Sequence, residues 1–116
     1  MSYWVYLYDE TDMPVKIKRH SEGGTYVLGG TDTAELNITY NYGSHYYKYL
    51  SPRKGLRILH KKKAKHVTKR LEKAVKELGT RRAENYWNGT KGNAGYALSV
   101  LLRWAKEYPK AKFCVH

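Results

Sequence analysis

Glu35-Leu36-Asn37-Ile38-Thr39-Tyr40-Asn41-Tyr42 decides the fold class. Leu36, Ile38, Tyr40 and Tyr42 fall on one side of an extended chain, with Asn37, Thr39 and Asn41 on the other. This is the period of two that a half-buried β-strand requires. Gly43 closes the pattern, and beyond it the apolar spacing becomes helical. Ala64, Val67, Leu71, Ala74, Val75 and Leu78 recur at three- and four-residue intervals, and Gly79 sits where a C-cap belongs. A second helix is expected over 94–108, apolar at Ala97, Leu98, Val100, Leu101, Leu102, Trp104 and Ala105, and ended by Pro109. That stripe is too wide for a surface helix, so this helix is the expected central one.

Towards the amino end, residues 3–8 form a β-branched and aromatic run, and 9–14 are turn-forming. Residues 15–20 then alternate, Val15 and Ile17 against Lys16 and Lys18, and the whole reads as a β-hairpin with a long loop. A Gly- and Thr-rich stretch over 21–33 contains a short strand-like piece at 25–28. Residues 44–50 suit a short helix, 85–93 a loop and 111–115 a closing strand. The expected fold is a single α+β domain over 1–116. Its antiparallel sheet has about four strands (the N-terminal hairpin, the strand 35–42 and the C-terminal strand), packed by two to three helices on one face.

Fourteen of the 22 Lys and Arg residues lie between Lys48 and Arg82, opposed there only by Glu72 and Glu77. The remaining basic and acidic groups cancel, so the whole net charge of +12 belongs to this segment. Such a concentration attracts polyanions. Twelve Tyr and three Trp against one Phe suit half-buried strands and interfaces. No run approaches the ~18 to 20 apolar residues of a membrane span. Residues 1–12 carry three acids, Asp9, Glu10 and Asp12, after an aromatic run and do not read as a signal peptide. The lone Cys114 has no disulfide partner and reads as a small core residue. It fits a reducing compartment, so the expected location is cytoplasmic.

Within the basic segment, Lys65, Lys69, Arg70, Lys73 and Lys76 lie off the apolar stripe of the first long helix, and Lys61, Lys62 and Lys63 precede it. These eight residues are the candidate nucleic-acid or anion contacts. Glu72 with Lys76, and Lys73 with Glu77, have the spacing of helical ion pairs. Tyr46, Tyr47 and Tyr49 are placed to stack on bases of a single strand. The other reading of so much charge is contact with an acidic protein surface.

Two glycine-rich segments form a second candidate site. Arg19, His20, Ser21, Glu22, Gly23, Gly24 and Thr25 gather ionisable and hydroxyl groups in one turn. His20 with Glu22 has the make-up of an acid/base pair, although hydrogen bonding that pins the loop explains the same residues. Lys91, Gly92, Asn93 and Gly95 run into the second helix, where free N–H groups can hold a phosphate. In the alternative, Asn93 caps that helix and Gly95 permits close packing. The Walker spacing is absent and the five His residues show no metal-ligand spacing, so neither a cofactor nor a metal is expected.

The same segments carry a resemblance. The block 19–42, chiefly RHSEGGTY and LNITYNY, and the block GNAGYALSVLLRWA over 92–105 resemble a family of small phage- and prophage-encoded proteins of unassigned function. The resemblance implies a viral or mobile-element origin and no reaction. The relatives are less basic between the blocks, so the charge is peculiar to this chain. The leading expectation is therefore a non-enzymatic binding protein. Its basic helix would engage nucleic acid or a nucleic-acid-handling host complex, including as an inhibitor of host defence. A nucleotide or signalling-nucleotide binder using the two Gly loops, an acidic-protein-binding module, and an enzyme built on His20 and Glu22 are the alternatives.

Overall fold

The computed structural model describes residues 2–22 and 29–116. Its strands are β1 (Ser2–Tyr8), β2 (Lys16–His20), β3 (Thr31–Thr33), β4 (Glu35–Thr39) and β5 (Lys112–Val115), and its helices are α1 (Gly43–Tyr49), α2 (Ala64–Leu78) and α3 (Lys91–Glu107). Short 3-10 helices occupy Tyr40–Tyr42 and Gly55–Leu59. The chain is α+β, and its strands pair antiparallel. The strand expected at 25–28 lies outside the described residues.

The strands divide into two sheets, one ordered β4-β1-β5 and one pairing β2 with β3. This corrects the hairpin expected between the first two strands, because β4 and β5 take both edges of β1. Tyr3, Val5 and Leu7 are buried, which suits a central strand, whereas Lys16, Lys18 and Arg19 are exposed, which suits an edge. What remains of the hairpin is a bridge between Tyr8 and Pro14. The two sheets join at three buried residues. Leu7 N–H donates to the Ala34 carbonyl (2.9 Å), Ala34 N–H to Val15 (2.8 Å), and Val15 N–H to Leu7 (3.0 Å). Polar backbone at a buried junction is thus satisfied within the junction itself.

Register puts Tyr3 opposite Ile38, Val5 opposite Leu36 and Val115, and Leu7 opposite Phe113. All seven are buried and form the inner sheet face. Strand β4 stops at Thr39, three residues short of expectation. The Thr39 hydroxyl accepts from Asn41 N–H (3.2 Å), a local bond that caps the 3-10 turn in place of a ladder.

Helix α2 has the expected bounds and buries Ala64, Val67, Leu71, Ala74 and Leu78, with Val75 half-buried. No side chain caps its start. The carbonyls of Ala111 and Pro109 accept from the N–H groups of Ala64 (2.8 Å) and Lys65 (3.0 Å) instead. Gly79 ends it at φ +77°, a conformation that favours glycine. Helix α3 starts three residues earlier than its apolar pattern suggests, because Thr90 caps it by accepting from Asn93 N–H (3.1 Å). Nine residues of α3 are buried, among them Leu98, Leu101 and Trp104, which makes it the central helix.

The two long helices meet with no room to spare. A Cβ on Gly95 would lie 1.8 Å from the Gly79 carbonyl oxygen, and one on Gly92 would lie 1.8 Å from that of Arg81. These distances generate two expectations for chemical denaturation. Leu101→Ala, which empties a fully buried site, should cost about 3 kcal/mol. Gly95→Ala would gain about 1 kcal/mol of helix propensity. It must nevertheless displace backbone, so a net loss of about 2 kcal/mol or more should be seen. A Gly95→Ala protein as stable as the parent would show that the crossing is looser than described.

Candidate functional site

The two glycine-rich segments do share a cavity, but with a different lining from the one expected. A space of about 330 Å³ is bounded by Ser21 and Glu22 on one side and by Asn93 and Tyr96 on the other, with Arg82 and Glu84 from the connection between α2 and α3. The Tyr96 hydroxyl donates to Glu22 Oε2 (3.0 Å), and the Arg82 guanidinium lies 4.6 Å from the Tyr96 ring centroid. Arg19, His20, Lys91, Gly92 and Gly95 are not part of this lining. Arg19 donates to the Gly29 carbonyl (2.8 Å), and Lys91 stands over the Tyr49 ring at 5.6 Å. Gly23, Gly24 and Thr25 lie outside the described residues.

His20 is committed to structure. Its Nε2 donates to the Thr33 carbonyl (2.9 Å), its Nδ1 accepts from Glu22 N–H (3.1 Å), and its ring meets Trp104 edge-on at 5.1 Å. Both ring nitrogens are bonded to backbone, which holds the turn between β2 and Glu22. Gly92 and Gly95 lie against the backbone of Arg81 and Gly79, so their lack of a side chain serves close packing at the start of α3. Asn93 does not cap α3. It is buried and organises the preceding loop, accepting from Ala83 N–H (2.8 Å) and donating to the carbonyls of Asn85 and Asn88 (3.0 Å each).

The basic segment is deployed entirely at the surface. Lys48, Arg53, Lys54, Arg57, Lys61, Lys62, Lys63, Lys65, Lys69, Arg70, Lys73, Lys76, Arg81 and Arg82 are all exposed. The ion pair formed by Glu72 is not the one its spacing suggests. It reaches Lys106 of α3 (3.3 Å), with both side chains about half exposed (48% and 56%). Arg70 is partly occupied, since its Nη1 donates to the Leu50 carbonyl (2.8 Å) at the end of α1. Lys61, Lys62 and Lys63 follow the outer edge of β5. Lys61 N–H donates to the Phe113 carbonyl (2.8 Å), Phe113 N–H donates to that of Lys62 (2.9 Å), and Lys63 bridges Lys112. Lys61 takes the left-handed conformation, φ +63°, where the chain turns from the 3-10 helix onto the sheet.

Beside this lysine edge the structure adds residues that the charge pattern alone did not single out. A cavity of about 420 Å³ is lined by Tyr47, Arg53, Lys54, Arg57, His60 and Lys62, with Ile58 and Val115 completing it and no carboxylate among the described residues. Ser51 builds its rim, its hydroxyl accepting from Lys54 N–H (3.1 Å) and its carbonyl from Gly55 N–H (2.9 Å). Of the three tyrosines proposed to stack, Tyr46 is fully buried, its hydroxyl donating to the Ala94 carbonyl (3.0 Å), and Tyr49 is half-buried beneath Lys48 and Lys91. Only Tyr47 presents its ring, at 42% exposure. Arg57 sits 4.9 Å above the Tyr3 ring, and Tyr40 meets Tyr3 edge-on at 4.6 Å. Burial raises the Tyr3 pKa, with Tyr47 and Tyr40 pushing the same way and Arg57 opposing them.

Cys114 is not a core residue. Strand alternation puts Phe113 and Val115 inside and turns Cys114 to the outer face, where its Sγ and the Tyr6 hydroxyl each lie 3.2 Å from His116 Nε2. The thiol's hydrogen bond, followed by burial, pushes the Tyr6 pKa up to about 12. Among the described residues, no three His, Cys, Asp or Glu side chains gather where they could hold a metal ion. Nor is any described helix long and apolar enough to cross a membrane.

No protein-family model matches the chain, no curated protein matches it, and no solved structure matches it.

His60 gives the site a pH dependence. Its Nδ1 accepts from Val115 N–H (3.0 Å), and burial, then Lys61 and His116, hold its pKa below the ordinary 6.5. The unfolded chain therefore binds this proton more readily than the folded one. The stability contributed by neutral His60 is complete above pH 6.5 and is lost as pH falls through the depressed folded value. Melting temperatures of the parent and of His60→Asn should accordingly converge as pH is lowered through this window. A gap independent of pH would show that His60 does not titrate with folding.

Proposed function

We propose that this protein is a non-enzymatic module that binds nucleic acid through phosphate contacts made by α2 and the lysine edge before it. One observation carries the reading: all fourteen cations between Lys48 and Arg82 are exposed, while Glu72, one of only two acids among them, is already paired outside the segment. Cations gathered on one surface repel one another, and a polyanion relieves that repulsion while the cations displace its condensed counterions. Lys61, Lys62, Lys63, Lys65, Lys69, Lys73 and Lys76 are the expected phosphate contacts, and Arg70 contributes less because it also serves α1.

The nucleotide-pocket alternative is less well supported. Among the described residues of the cavity lining, Glu22 and Glu84 oppose an anionic ligand and Arg82 favours one. The same surface charge also fits an acidic face of a host nucleic-acid-handling complex. For a chain that resembles phage-encoded proteins, inhibition of host defence belongs to that version of the proposal.

Titration of a labelled duplex at increasing salt tests the proposal. Log affinity should fall linearly with log salt, and Lys65→Glu, Lys69→Glu and Lys73→Glu together should shallow the slope by about one per lysine. The loss should be alike for every sequence. A parent protein that binds neither duplex nor single strand at low salt, yet retains a host protein from nuclease-treated lysate through these lysines, would replace nucleic acid with an acidic protein surface.

A further inference from the structure

The cavity beside the lysine edge differs in kind from the rest of the basic surface. Along α2, cations stand on a helix face whose apolar side is buried, so that face offers charge and nothing flat. In the cavity, Arg53, Lys54, Arg57 and Lys62 surround the exposed ring of Tyr47. The ring is held from below. A Cβ on Gly55 would lie 3.3 Å from three of its carbons, and Gly55 itself has φ +57°, so the chain there spends a glycine on bringing backbone against the tyrosine. Arg57, from the same lining, stands over the face of the buried Tyr3, and Tyr40, 38% exposed, meets Tyr3 edge-on.

A flat ring backed by packed backbone, with a guanidinium near by and a rim of cations, is what an unpaired base requires. Base faces stack on aromatic rings while the flanking phosphates meet Lys and Arg. A duplex keeps its base faces covered and can use only the charge. Neither carboxylates on the lining nor a closed pocket oppose a linear polyanion crossing from this cup to the lysine edge, since Lys62 belongs to both.

We propose that the cup around Tyr47 is a stacking site for single-stranded nucleic acid, which makes this the preferred form of the polyanion. The proposal rests on the phosphate-binding reading above and adds the substrate class to it.

The test compares a labelled oligothymidylate of about 12 nucleotides, a length within the reach of one such platform, with a duplex of equal length. Tyr47→Ala should weaken single-strand binding about tenfold, as loss of one stacked base does, without changing its salt slope. Duplex affinity should be unaltered. Tyr47→Trp retains a stacking ring, should bind like the parent, and its added indole emission should be quenched by the single strand. Equal loss of single strand and duplex in Tyr47→Ala, or full single-strand binding by it together with an unquenched Tyr47→Trp, overturns the stacking site and leaves phosphate binding standing. A parent protein that binds the duplex alone does the same. If the parent binds neither strand, both readings fall.

Discussion

The contact on which the rest of this molecule depends is the bare-backbone crossing of α2 and α3. Gly95 and Gly92 admit the carbonyls of Gly79 and Arg81 to positions that any side chain would fill. That closeness sets how near the end of α2 comes to the central helix, while the apolar stripe of α2 decides which of its faces is turned inward. Leu71, Ala74 and Leu78 point inward, leaving Lys65, Lys69, Lys73 and Lys76 no direction but solvent. Beyond Gly79 the chain carries Arg82 and Glu84 to the border of the cavity near Glu22. A glycine pair that might be taken for a ligand loop is therefore the hinge of the architecture, and its influence on function is exerted through α2.

What was legible in the sequence was periodicity, and what was not was pairing. The pattern of Ala64, Val67, Leu71 and Leu78 located α2 correctly, because a helix is closed by local hydrogen bonds and its buried side shows as a spacing. Strands close by partners far along the chain. Nothing local to residues 3–8 says that β4 and β5 will take both edges of β1 and leave β2 to pair elsewhere. The end of β4 was misplaced for a different reason. Tyr40 and Tyr42 continue the alternation of Leu36 and Ile38, but the Thr39 hydroxyl offers Asn41 N–H a nearer acceptor than any ladder.

The candidate site was legible in the same uneven way. Exposure of the basic residues followed from helical phase and charge. Arg53, Lys54 and Arg57 counted towards the charge, yet their gathering around Tyr47 did not, because it depends on a 3-10 helix and on Ser51 tying a turn. Spacing likewise could not separate Tyr47 from Tyr46. One residue along a helix is a rotation of about 100°, enough to send Tyr46 into the core and Tyr47 to the surface. Residue types that look equivalent in a run thus acquire opposite roles once the helix has a buried side.

The distribution of charge also explains why the core can be ordinary while the surface is not. Exposed lysines contribute little to stability singly, and like charges crowded together oppose the compact state. This fold contains that opposition by separating the two tasks. The inner sheet face and α3 supply the burial, while α2 and the 53–63 stretch lean on them with one side and carry cations on the other. Even the lysine run is anchored by backbone alone, through Phe113, Ala111 and Pro109, so that none of its side chains is needed to hold it. Among the described residues the side chains of Lys61, Lys62 and Lys63 hold no partner in place, which is the condition a surface must meet if its charge is to be available to a ligand.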